Sequence, residues 1–271
     1  MISGVIQARM GAVRLPNKTL MQIAGRSLLG WTIHAARACP SVDRVIVATS
    51  VNEQDAPVAD EALRNGAEVY RGDEDDVLAR YVSGAEALEL DVIIRICGDA
   101  PLFSPWVCHG IVQEYLKSGM DYVSNTSRET FPYGTQVEIF SSDVLRRSWE
   151  VADLDTDHEH VTPAMRRHPE VFSCLSVVAP QPIRRGHYRL CVDTRRDYDV
   201  VCEIFAQLDH PPDQPPDLLD VVALLDGRAD LTAHMVAQHQ RYSTSKDTEL
   251  ELPTVELSPA YRDEFRRITK R

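Results

Sequence analysis

Three cations crowd into ten residues near the start of the chain. Arg9, Arg14 and Lys18 lie in the stretch 5–20, VIQARMGAVRLPNKTL, just after the short apolar start Val5-Ile6. Guanidinium and ammonium groups at that density suit a polyphosphate, with backbone N–H groups adding to them. The loop is neither a Walker A loop nor a Gly-x-Gly-x-x-Gly turn. It holds one glycine, Gly11, so side chains would do much of the binding. Three cations in a loop can equally be solvated surface. Two aspartates offer the complementary chemistry. Asp99 follows the apolar run DVIIRI, with Gly98 before it and Pro101 after it, and Asp193 follows Leu190-Cys191-Val192 and precedes Thr194. Carboxylates at two strand ends beside a cationic loop suit a hard cation, Mg²⁺ or Mn²⁺, completed by water and substrate phosphates. An aspartate at a strand end is also a common turn and cap residue. Cys97 and Cys191 stand two residues before these aspartates. A mixed Cys/Asp site would select a softer metal, and ordinary buried thiols explain the same pattern.

These groups need elements to hold them. Strand and helix signals alternate through the first half. Strands are expected at 1–6, 44–49, 68–70, 91–96 and 122–124. Helices are expected at 28–37, 54–65, 76–88 and 105–118, the second ending at Gly66 as a C-cap. That rhythm predicts an α/β fold, a mostly parallel twisted sheet flanked by helices. Ligands collect at the carboxyl ends of such strands. From residue 127 the rhythm changes: a turn into a strand over 132–140, a helix over 142–152 capped by Ser142 or Asp143, and strands at 172–178 and 189–192. This reads as an inserted α+β lobe, about 128–185, within a single domain spanning 1–230. A helix over 197–208 and another over 218–225 follow, separated by a proline-rich break. The chain over 231–271 reads as a polar extension, partly flexible or docked on a partner, with a basic end.

Composition narrows the class. At 271 residues and 44% apolar residues, the chain can bury a substantial core. Its formal charge of -12 argues against a general nucleic-acid binder. No apolar run is long enough to span a bilayer, and Gln7 and Arg9 interrupt any signal-peptide core. A cytoplasmic protein is expected. The six cysteines form no Cys-x-x-Cys pair, which speaks for reduced thiols over a zinc ribbon.

Gln7-Ala8-Arg9-Met10-Gly11, then Arg14-Leu15-Pro16 and Lys18, resembles the signature loop of the cytidylyltransferases that activate acidic sugars. The branch is that of spore-coat-polysaccharide synthesis, akin to CMP-sialic acid synthetases, and the resemblance covers about residues 1–210. It recurs at Arg71-Gly72 with Asp76-Val77-Leu78, at Arg95-x-x-Gly98-Asp99-x-Pro101, at Glu159-His160-Val161-Thr162-Pro163 and at Val192-Asp193-Thr194. It implies a Rossmann-like nucleotide-diphospho-sugar transferase fold. Gln7, Ala8, Arg9, Met10, Gly11, Arg14 and Lys18 would wrap the triphosphate of CTP, with Arg14 and Lys18 catalytic. Arg71, Gly72 and Gly98 would complete the nucleotide site, and Asp99 and Asp193 would hold the metal. Asn125, Gly134, Glu138 and His160 would face the acceptor, and the inserted lobe would join two subunits. Tyr133 and Thr135 depart from the family's wording around Pro132, which bears on the acceptor's identity.

The expected reaction is attack of an acceptor oxygen on the α-phosphorus of CTP, releasing pyrophosphate. A sugar-acid hydroxyl must lose a proton, to His160 or a metal-bound hydroxide. A phosphate or phosphonate acceptor needs no base but more cations, for which Arg128, Arg184 and Arg185 are candidates. Two rivals stand beside this reading. One is a glycosyltransferase using Asp73-x-Asp75; the same residues read otherwise as an acidic helix start. The other is a catalytically silent nucleotide sensor on the same scaffold.

Overall fold

A computed structural model describes residues 1–12, 14–208, 210–211, 214–243 and 252–269. The chain begins with β1 (Ile2–Gln7). A two-stranded hairpin, β2 (Gln22–Ile23) and β3 (Arg26–Ser27), leads into α1 (Leu28–Arg37). Next come β4 (Arg44–Ser50), α2 (Ala56–Arg64), β5 (Glu68–Gly72), α3 (Val77–Ala87), β6 (Val92–Cys97), α4 (Pro105–Ser118) and β7 (Tyr122–Ser124). The middle of the chain forms β8 (Glu138–Ser141), α5 (Ser142–Val151), α6 (Asp155–His160), α7 (Pro163–Arg167) and β9 (Cys174–Val178). The last elements are α8 (Arg195–Gln207), α9 (Leu218–Asp226), α10 (Ala229–Ser243), β10 (Thr254–Glu256) and α11 (Ala260–Thr269).

Apart from the hairpin, the strands make one eight-stranded sheet, ordered β10-β9-β7-β8-β6-β1-β4-β5. Its pairs are parallel except those of β8 with β6 and β7. Side chains alternate across it, as strand geometry requires. Val5, Ile46 and Ile93 face one core with Leu78 and Tyr81 of α3 and Leu145 of α5. Ile6, Val47 and Ile94 face the other, with α1, α4, α8 and α9. Buried side chains thus cover both faces, the α/β arrangement expected.

The strand order fixes where a ligand can sit. The chain runs β1, β4, β5 outward in one direction, then returns to place β6 on the other side of β1. That reversal leaves a crevice beyond the carboxyl ends of β1 and β6, the usual ligand position in such sheets. The helices start where short polar side chains allow. Ser27 accepts from Gly30 N–H at 2.8 Å, and Asp76 from Ala79 N–H at 2.8 Å. Ser141, rather than Ser142 or Asp143, caps α5.

Three local expectations need revision. Residues 128–185, expected as an inserted lobe, build no sheet of their own: β8 and β9 join the main sheet, and α5 and α6 pack on α3. Residues 189–192, expected as a strand, form a single bridge between Arg189 and Tyr133. Their N–H groups go to two different segments, Leu190 to Tyr133 O at 2.6 Å and Val192 to Asp99 O at 2.9 Å, so no ladder can grow. Residues 254–269, read as part of a polar extension, are folded onto the domain: β10 pairs with β9, and Leu257 and Tyr261 are buried against α4. Gly110 of α4 makes the room, since a Cβ there would stand 2.8 Å from Leu257 and 2.9 Å from Tyr261. The expectation for 244–251 and 270–271 lies outside the described residues, as does Val13 of the early loop.

Candidate active site

The loop after β1 doubles back at Asn17, whose left-handed backbone (φ 61°) asparagine tolerates better than most residues. A short 3₁₀ turn, Lys18–Leu20, follows. It carries the Lys18 ammonium to 2.9 Å from Asp99 Oδ2, 2.9 Å from Asp193 Oδ1 and 2.7 Å from the Val192 carbonyl. Asp99 comes from the exit of β6, and Asp193 from the residue before the Thr194 cap of α8. Lys18 is only 12% exposed and Asp193 17%. Burial works against the Lys18 charge, yet Asp99 and Asp193 outweigh it and raise its pKa. For Asp193 burial again opposes ionisation, and Lys18, Arg189 and Arg14 overcome it, holding the carboxyl below the usual range. Arg14 Nη2 lies 3.2 Å from Asp193, and Arg189 also pairs with it. Three cations therefore meet two carboxylates, and the excess positive charge suits an anionic ligand.

Close packing of glycines brings the strand exits together. Gly98 donates its N–H to the Gln7 carbonyl at 2.9 Å, and a Cβ there would stand 2.6 Å from that oxygen. Gly134 (φ 106°) meets the Asp193 segment, where a Cβ would lie 2.7 Å from the Cys191 nitrogen. Gln7 accepts from Arg95 Nε at 3.0 Å. Ala8 is buried, while Arg9 and Gly11 are exposed on the loop. Met10 donates its N–H to Asp55. Arg71 braces the exit of β4, donating to the Ser50 carbonyl at 2.9 Å and the Asn52 carbonyl at 2.7 Å. Gly72 accepts from Val51 N–H at 2.9 Å.

The expected acceptor residues divide. Glu138 is buried and pairs with Arg95. It also accepts from Tyr122 at 2.6 Å, Thr162 at 2.5 Å and Arg166 at 3.3 Å. Burial opposes its charge, but Arg95 and Arg166 keep the carboxyl below its usual range. Asn125 is buried too, its amide bonding the Thr135 carbonyl at 2.9 Å and Val137 N–H at 2.8 Å. Both side chains are thus committed to internal partners. His160 is exposed on α6, and among the described contacts its side chain has none with the Lys18 cluster. Its neighbour His158 pairs instead with Asp76 at 2.8 Å. Arg184 and Arg185 are committed elsewhere, to Glu256 and Asp226, each at 2.7 Å.

Asp73 accepts the N–H groups of Asp75 and Asp76 at 2.9 and 2.8 Å. It closes its own turn ahead of α3, the acidic helix start given above as the other reading of Asp73-x-Asp75. Burial pushes the Cys97 thiol up to about 11 and raises Cys191 as well, in keeping with ordinary buried thiols. Among the described residues, no three His, Cys, Asp or Glu side chains cluster as metal ligands. No described helix is long and apolar enough to cross a membrane.

Arg189 and Asp55 escaped the sequence reading. Arg189 sits over the Tyr133 ring at 4.8 Å as well as on Asp193. Its only signal was a cation four residues before the aspartate. Asp55 had none beyond its place near a helix start.

A doubly wound sheet with a basic loop and paired aspartates at its switch point is the architecture of a nucleotidyltransferase. The chain belongs to the cytidylyltransferase family, whose model matches residues 3–214. It is 32% identical to the spore coat polysaccharide biosynthesis protein SpsF of Bacillus subtilis over 214 residues, 77% of this chain and 88% of that one. It is 35% identical to the 3-deoxy-manno-octulosonate cytidylyltransferase of Maricaulis maris over 116 residues, 41% of this chain and 43% of that one. The structure of a cytidylyltransferase from Leptospira borgpetersenii superposes with a TM-score of 0.79 at 25% identity, covering 85% of this chain and 96% of that one.

Proposed function

We propose that this cytidylyltransferase moves CMP from CTP onto an acidic sugar. The acceptor hydroxyl gives up its proton to water, its oxygen bonds to the α-phosphorus, and the bond from that phosphorus to the bridging oxygen breaks to release pyrophosphate. The observation that carries the reading is Lys18 held between Asp99 and Asp193 at the mouth of the switch-point crevice. Arg9, Arg14 and Lys18 bind the triphosphate and offset the charge that grows on departing pyrophosphate. Catalysis is mainly positioning and electrostatics, as in phosphoryl transfer generally.

The donor set fits a magnesium ion. Two carboxylates already converge on one cation, the Lys18 ammonium, and magnesium takes one or two carboxylates with water and phosphate oxygens for the rest. Asp99 and Asp193 would hold it, and when bound it would neutralise charge on the phosphates.

Two points favour a sugar acid over a phosphate or phosphonate. Of the three cations that a more highly charged acceptor would call on, Arg184 and Arg185 are engaged by Glu256 and Asp226, and Arg128 is exposed. The Maricaulis relative is named for a sugar acid. Pyrophosphate release from CTP and Mg²⁺, measured across sugar acids, sugar phosphates and phosphonates, tests the reading. Release with sugar acids alone supports it; release only with a phosphorus acid, or from another nucleoside triphosphate, overturns it. A homodimer, implied by the family resemblance, is checked by the mass in solution.

A further inference from the structure

The loop bearing Arg9, Arg14 and Lys18 must be held in shape before it can hold a ligand. One peptide group in it is gripped from both sides. The Arg9 carbonyl accepts from the Thr19 hydroxyl at 3.0 Å, and Met10 N–H, the other half of that peptide, donates to Asp55 Oδ1 at 2.6 Å. A planar trans peptide points its C=O and N–H in opposite directions, so two such partners fix the plane. Both gripping side chains are interior: Asp55 is 0% exposed and Thr19 5%. The other Asp55 oxygen accepts the Ser50 hydroxyl, and its backbone N–H reaches the Asn52 carbonyl at 3.0 Å. The grip is therefore anchored to the exit of β4. Thr19 lies in the same turn as Lys18. The peptide, the Lys18 turn and the end of β4 make one braced unit.

We propose that Asp55 and Thr19 are positioning residues for the nucleoside triphosphate. By fixing the Arg9–Met10 peptide they set the directions of Arg9 before it and Gly11 after it, which face the phosphates. This rests on the triphosphate reading of the loop above. Asp55 acts through the backbone: its two oxygens are taken by N–H and O–H donors, and a carboxylate would repel phosphate directly. A loop ordered in advance spares the ligand the cost of ordering it.

Thr19→Val keeps the shape and removes the donor, and Thr19→Ser restores it. Calorimetric titration with CTP and with CMP, both in MgCl₂, reads the effect. Thr19→Val is expected to weaken CTP about 10-fold, the scale of one net hydrogen bond, with CMP changed less than about 2-fold. Thr19→Ser is expected to recover most of the CTP affinity. Asp55→Asn, which keeps one acceptor for Met10, is expected to fall between them; should it not fold, the Thr19 pair still decides. Trypsin cleavage after Arg9 and Arg14 is expected to speed up in Thr19→Val. Equal losses of CTP and CMP, or unchanged CTP affinity and cleavage, overturn the clamp while leaving the nucleotide reading intact. A wild type that binds no CTP overturns the nucleotide reading and the clamp's purpose together, whatever trypsin reports.

Discussion

Lys18 and Asp193 stand 175 positions apart in the chain, and their charged atoms lie 2.9 Å apart. The early basic turn and the start of α8 are joined through that contact, and Asp99 shares the same ammonium. A cation bound by two carboxylates and left mostly dry can be handed to a more anionic guest. Lys18→Met is expected to lower turnover about 10²–10³-fold, the usual loss for one charge-stabilising donor at a reacting centre. It also leaves two carboxylates facing each other, so the melting temperature falls. Rates of pyrophosphate release and thermal melts check both.

Asp99→Asn and Asp193→Asn test the metal. Each is expected to abolish stimulation by Mg²⁺ and cut turnover by about 10²-fold or more, in line with the several kcal/mol a bound metal supplies. Asp193→Asn has a second effect. It removes the partner of Lys18, Arg14 and Arg189, so the site becomes more positive. CTP affinity in EDTA is then expected to rise even as turnover drops. Binding measured with and without the chelator separates the two.

Gly134 touches chemistry through backbone alone. A methyl group there meets the Cys191 nitrogen at 2.7 Å, and the glycine holds a φ of 106° that side chains avoid. Gly134→Ala is expected to cost about 1–3 kcal/mol of stability and to displace residues 190–193, carrying Asp193 off Lys18. Turnover should suffer more than folding does. Denaturant melts alongside kcat would show a purely structural effect if the two losses match.

Glu138 predicts a pH dependence. Its folded-state pKa is depressed, so its stabilisation is present above the unfolded value, near 4.3, and is lost as pH falls through the folded one. Glu138→Gln leaves the Arg95 and Arg166 charges without their shared carboxylate. It is expected to cost about 3–5 kcal/mol at neutral pH. Its stability should then vary less than the wild type's between pH 5 and pH 3. Melts across that window check the sign, and a variant with the wild type's acid limb contradicts it.

Arg184→Ala and Arg185→Ala are expected to leave kcat and the acceptor KM near wild type. Their pairs with Glu256 and Asp226 are partly exposed and worth about 0–1 kcal/mol each. A rise in the acceptor KM for either variant would return these arginines to the acceptor site.

The βαβ rhythm was legible because β1, β4 and β6 are apolar runs buried on both faces, and their separating helices are amphipathic. Lys18, Asp99 and Asp193 were legible because each combines a reactive type with a strand exit or turn signal. What stayed hidden depends on pairing between distant segments. Nothing local marks β8 as the strand that runs against its neighbours. Residues 189–192 are as apolar as a strand, but two different segments take their N–H groups. Asp55 looked like an ordinary polar position and Glu138 like an acceptor ligand, because partners of their buried charges come from distant segments. His160 matched a motif, yet its position on α6 leaves its ring in solvent.

The pairing of β10 with β9 means that the sheet's margin is finished by residues made well after the strands that flank the crevice. Until they arrive, β9 offers a bare row of N–H and C=O groups, an invitation to any neighbouring strand. The nascent protein carries its nucleotide crevice early, and its protection from clumping comes late.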